Sequence, residues 1–138
     1  MNKSEVRYPP VEHTKSRLVR SILVVLLLEK VLQHLIVSLA FAFNWMDIAS
    51  TVALNPTILL FVGTIVMVLF GVALWGMIVQ KEWAPRLVVG LALFDIFGEF
   101  VAQGTLGITI TVSFAVAVLL LIVAVIYRRQ ITRRDNAA

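Results

Sequence analysis

Residues 18–43 read LVRSILVVLLLEKVLQHLIVSLAFAF, and the centre of that run, Glu29-Lys30-Val31-Leu32-Gln33-His34, decides how the rest of the chain must be arranged. Seventeen of the 26 residues are Leu, Ile, Val or Phe. A helix needs roughly 20 mostly apolar residues to cross a bilayer, so the run qualifies by length. At about −0.3 to −0.6 kcal/mol each, the apolar side chains supply roughly −5 to −10 kcal/mol, against about +5 to +7 for Glu29 and Lys30 at mid-depth. Insertion is favourable, but only with the charges turned away from lipid. Ionisable residues so placed face a bundle interior, pair with one another, and mark proton or ligand paths.

Composition extends this reading to the whole chain. The 138 residues are 60% hydrophobic and 14% charged, and they contain no cysteine. An ordinary soluble domain is about 45–50% apolar. Disulfides, thiolate metal sites and thiol redox chemistry are excluded. The length leaves room for four spans and short links.

Outward from the first span, residues 1–17 are polar and read as an N-terminal cytoplasmic tail. A cleaved signal peptide is disfavoured, because Glu29 and Lys30 split the apolar segment. The second span, 57–79, is opened by Asn55-Pro56, an N-cap residue followed by a proline suited to the first helical turn. Its Gly63, Gly71 and Gly76 are small positions at which helix backbones can approach. Trp75, Trp83 and Tyr127 fall near one membrane edge, as an aromatic belt does. The third span, 84–103, carries Asp95, Glu99 and Gln103 at i, i+4 and i+8, along one helical stripe. Only ten Leu, Ile, Val or Phe residues oppose those acids. This helix needs a buried partner, a protonated carboxylate, or both. The fourth span, 108–127, is apolar apart from Thr109, Thr111 and Ser113, to which no chemistry is assigned, since such hydroxyls bond back to their own helix. A basic tail, 128–138, follows.

Eleven basic residues flank the spans on one side, and the two links on the other side carry none. By the positive-inside rule both termini are cytoplasmic. The expected fold class is thus an all-α membrane protein: a four-transmembrane-helix up-down bundle in the cell membrane, multi-pass. An inverted pair of subunits needs no such bias. Nucleic-acid binding is disfavoured, because the basic residues sit in topology-determining flanks, where they also face anionic lipid.

Depth counting brings the polar residues together. Glu29 lies eleven residues past Leu18 and Asp95 eleven past Ala84, each roughly 16 Å from its helix start at 1.5 Å per residue. Gln33 and His34 come level with Glu99. The expected proton or ligand site is therefore Glu99, His34, Asp95, Glu29 and Lys30, with Glu29/Lys30 facing Asp95 and Gln33/His34 facing Glu99. Gln33 and Gln103 support it as interhelical hydrogen-bond glue. Three carboxylates against one lysine leave an excess of negative charge. A dry core disfavours that excess, so a carboxyl proton or a bound cation should relieve it. Haem would want two axial histidines in the membrane, and only His34 lies there. No Glu-x-x-His pair of the diiron type occurs. No metal and no cofactor is expected.

Three functions fit such a core. A proton- or cation-linked transporter, or a subunit of one, leads. An enzyme acting on a lipid, quinone or sterol-like molecule follows, with Glu99 and His34 as acid and base. The third is a structural subunit of a larger membrane complex. The corresponding partners are the bilayer, a small-molecule or cation ligand, and a second copy or another membrane protein.

Overall fold

The computed structural model describes residues 10–45, 47, 50, 52–103 and 111–135, with side chains described between 15 and 102 and between 111 and 132. Those residues form four helices: α1 (Pro10–Ala42), α2 (Pro56–Ile78), α3 (Ala84–Gln103) and α4 (Val112–Asp135). Stretches of three of them, Lys15–Ala42, Pro56–Ile78 and Val112–Thr132, are long and apolar enough to cross a membrane. α3 is not among them. Its 20 residues hold Arg86, Asp95 and Glu99, and charges at mid-depth oppose insertion.

Each helix packs on the two beside it in the order α1, α2, α3, α4, and α4 closes back on α1. This leaves α1 and α3 on a diagonal. Neighbours run antiparallel: His34 of α1 stacks on Phe70 of α2, and four residues on, Ser38 lies against Gly63, seven residues earlier on α2. The apolar core is built from Leu23 and Leu27 of α1, Phe70 and Met77 of α2, Val88 of α3 and Leu120 of α4. It fills the half of the bundle toward the start of α1, the α2–α3 turn and the end of α4. The polar residues form the layer above it.

The outside of the bundle is as apolar as the inside. Val25 and Ile36 of α1, Phe61 and Ile65 of α2, Phe94 and Phe97 of α3, and Ile122 of α4 are all exposed. Soluble monomers rarely expose contiguous apolar surface on this scale. The molecule is a membrane protein by this surface and by the three long apolar helices.

Two boundaries differ from those read in the sequence. α1 starts at Pro10, eight residues before Leu18, so part of the expected tail is helix. Pro10 sits at a first helical position, where a missing N–H costs nothing, and no glycine interrupts the chain before Leu18. With 33 residues α1 is about 50 Å long, longer than the roughly 30 Å hydrocarbon core. Likewise α4 runs from Val112 to Asp135 and carries the basic segment after Tyr127 as helix. The expected start of span four at 108–110 and the link 104–107 lie outside the described residues.

The α2–α3 turn sets the depth of α3. Asn55 caps α2, its side chain accepting from Thr57 N at 2.9 Å. At the other end Gln80 adopts a left-handed conformation, φ 57°, and Lys81 N donates to Gly76 O at 2.8 Å. This is the six-to-one bond of a Schellman C-terminus, with glutamine in the place usually taken by glycine. The returning chain lies on Gly76: a Cβ there would sit 2.6 Å from the Trp83 ring and 2.9 Å from the Ala84 Cβ. Trp83 in turn meets Trp75, ring centres 6.4 Å apart.

Candidate functional site: a polar layer across the bundle

Lys30 is the centre of the layer and is wholly buried, with 0% side-chain exposure. It shares a stripe of α1 with Leu23, Leu27 and Ser38, all buried, as residues at helical spacing do. Its ammonium donates to Gln33 Oε1 and to the main-chain oxygen of Ser113, both at 2.9 Å, and to Ser113 Oγ at 3.3 Å. Asp95 Oδ2 is nearer still, at 2.7 Å. That contact is an ion pair. A lysine has three N–H donors, and here they face four oxygens within 3.3 Å.

Asp95 also faces the imidazole. His34 Nε2 lies 3.2 Å from Asp95 Oδ1, with 15% and 10% of the two side chains exposed. One face of the imidazole stacks on Phe70 at 5.4 Å between ring centres, 22° from parallel. All four helices thus contribute: Lys30, Gln33 and His34 from α1, Phe70 from α2, Asp95 from α3 and Ser113 from α4. Lys30 and Asp95 carry one charge of each sign, so this pair is electrically balanced.

Glu99 lies one turn further along α3, and among the described residues the acid paired with His34 is Asp95. It accepts a hydrogen bond from Thr111 Oγ1 at 2.9 Å. Thr111 is at the same time the N-cap of α4, accepting from Phe114 N at 3.1 Å. A carboxylate beside a helix N-terminus meets the favourable end of the helix dipole. Phe100 and Phe114 pack edge-on nearby, at 5.7 Å between ring centres.

Glu29 stands apart from Lys30, its neighbour in sequence. Successive residues on a helix point 100° apart, so one can fill the core while the other is half-buried at its side. One Glu29 oxygen, Oε2, is shielded from solvent without a hydrogen-bond partner among the described residues. Of the two groups expected from the sequence, the structure brings Lys30 to Asp95, places His34 on Asp95 as well, and sets Glu99 at the start of α4. The Gln103 side chain lies outside the described residues.

The difference at His34 has a physical cause. Counting depth from Leu18 and Ala84 treats these as level starts, whereas α1 begins at Pro10 and α3 is set by the tight turn on Gly76. α3 is shifted along α1 so that Asp95 falls between Lys30 and His34. The acceptor at Ser113 O has no sequence signal, since every residue carries a carbonyl. Thr111 did have one, a hydroxyl residue just before the apolar run of α4.

Among the described residues no group of three His, Asp or Glu side chains is arranged to hold a metal ion. A large cavity lies at the other end of the bundle, and Glu99, His34 and Asp95 do not line it. No protein-family model matches this sequence, and no curated protein and no solved structure shows significant similarity to it.

Proposed function

We propose that this chain is a membrane-embedded structural subunit whose four helices all cross the bilayer, with its basic end in the cytoplasm. The polar layer is its internal brace. The observation that carries this reading is Lys30: a fully buried ammonium with four oxygens around it, one of them the counter-charge on the diagonal helix. Such a lysine is held in place. A buried ion pair adds little net stability over an apolar pair, but it penalises every arrangement that leaves one charge alone. Here the penalised arrangements are other registers of α3, the helix least able to insert by itself. The apolar outer faces then meet lipid, a second copy, or another membrane protein.

Proton- or cation-linked transport is the second reading, and two observations favour it. The His34 side chain retains 15% exposure, although its Nε2 toward Asp95 is shielded, and the shielded Glu29 oxygen lacks a partner among the described residues. Intramembrane groups of this kind are functional-site candidates by default. The enzyme reading has less support, because the large cavity is lined by other residues.

Proton flux through reconstituted vesicles separates the first two. The structural reading expects no flux above protein-free vesicles in the wild type. Flux abolished by His34→Gln, with the fold intact by circular dichroism, would establish transport instead. Topology is open to a clean test because the chain has no cysteine of its own. Single cysteines at Lys15, Glu82 and Arg129 should label from one side of the membrane, and one at Ser50 from the other.

A further inference from the structure

The start of α1, the α2–α3 turn and the end of α4 border a partly open cavity of about 810 Å³. Ligand pockets run from roughly 300 to 1,000 Å³. Five basic side chains line it, Arg17, Arg20, Lys81, Arg86 and Arg128, against one acid, Glu82. They come from four segments: α1, the turn, α3 and α4. Among the described residues none of the five is in an ion pair with an acid. The interior is less polar, with Met77 and Tyr127 buried in the apolar core and Ile131 packed against it.

We propose that this cavity binds a phosphate ester, with the headgroup of an anionic phospholipid as the source that its position favours. Like charges converging on one cavity repel, and an anion between them removes the repulsion. Arginine suits a phosphate specifically, because its planar fork meets two oxygens at once. Arg20 is half-buried and the other four stand exposed at the rim, so their charges converge on one cleft whose volume is far larger than an ion. The apolar floor suits the start of an acyl chain. The exposed Trp75–Trp83 pair at the same turn marks the depth at which headgroups lie. This inference rests on the membrane placement of the basic end, but not on the structural or transport role of the polar layer.

The test is native mass spectrometry of the full chain released from neutral detergent with phosphatidylcholine, phosphatidylglycerol or phosphatidic acid. The site variant is Arg20→Gln/Arg128→Gln. A charge-matched control, Lys15→Gln/Arg129→Gln, removes two exposed basic residues of the same end that do not line the cavity. The anionic lipids should be retained over phosphatidylcholine, and the site pair should lose at least about tenfold more affinity than the control pair. General surface attraction, worth about 1 kcal/mol per basic residue, would weaken both pairs alike. An equal loss in the two variants, or no preference for anionic lipid, overturns the proposal. Competition by glycerol 3-phosphate at concentrations near those of the lipid would support the phosphate-ester site and identify a soluble ester as its source. Failure to compete would support the lipid. Melting of both variants in phosphatidylcholine, followed by circular dichroism, distinguishes lost binding from lost folding. Cysteine labelling reports the membrane placement independently.

Discussion

Lys30 Nζ and Asp95 Oδ2 meet at 2.7 Å between α1 and α3, the diagonal pair of a bundle in which every other close packing is lateral. Removing either partner strands a charge in the core. Asp95→Asn and Lys30→Met are each expected to cost about 3–5 kcal/mol, the range for a broken buried pair. Of the two, Lys30→Met should be milder, because Asp95 keeps His34 beside it and is 10% exposed, whereas Lys30 has no exposure at all. Thermal unfolding in a fixed lipid composition measures both.

Thr111 joins two roles that substitution can separate. Thr111→Val removes the cap of α4 and the hydroxyl that Glu99 accepts from. Losing a cap costs roughly 0.5–2 kcal/mol. Thr111→Ser keeps the hydroxyl and should stay within about 0.5 kcal/mol of the wild type. A valine variant as stable as the serine one would mean that neither bond contributes.

The α2–α3 turn offers changes of opposite sign. Gly76→Ala forces a methyl group into the space of Trp83 and Ala84, and overpacking of this kind costs about 1–3 kcal/mol. Gln80→Gly relieves a left-handed backbone in a residue that carries a Cβ, a conformation that costs roughly 1–2 kcal/mol. Part of that gain is lost to the greater freedom of glycine in the unfolded chain. Gly76→Ala should lower the melting temperature and Gln80→Gly should raise it. Unchanged melting in both would refute the account of the turn.

At the start of α2 the Asn55 side chain holds the Thr57 N–H. Asn55→Ala should cost about 1 kcal/mol and Asn55→Ser or Asn55→Asp much less. Amide hydrogen exchange in the first turn of α2 would show the loss locally.

Periodicity and punctuation made the ends of α2 and α3 legible. Asn55-Pro56 fixes one start, and the short Lys81–Trp83 turn fixes the other within a residue or so. The outer ends of α1 and α4 were not legible, because polar residues next to a membrane do not stop a helix. Nothing at Leu18 or Tyr127 breaks the backbone, and the helices run on to Pro10 and Asp135. Equal depth on α1 and α3 brought Lys30 and Asp95 to one level, and a flexible lysine tolerates an error of half a turn. The shorter imidazole of His34 does not, and it meets Asp95 instead of Glu99. Phe70 gave no signal as its stacking partner, being one apolar residue in a wholly apolar helix.

The central claim, that the polar layer is a brace, is tested most directly by a double-mutant cycle. Lys30→Met, Asp95→Leu and the combined variant would be unfolded thermally in the same lipid. A brace predicts that each single change is strongly destabilising. The double variant should then recover to within about 1 kcal/mol of the wild type or exceed it, since apolar residues of similar volume replace a buried pair at little cost. Additive losses, with the double variant as unstable as the two single variants summed, would contradict it.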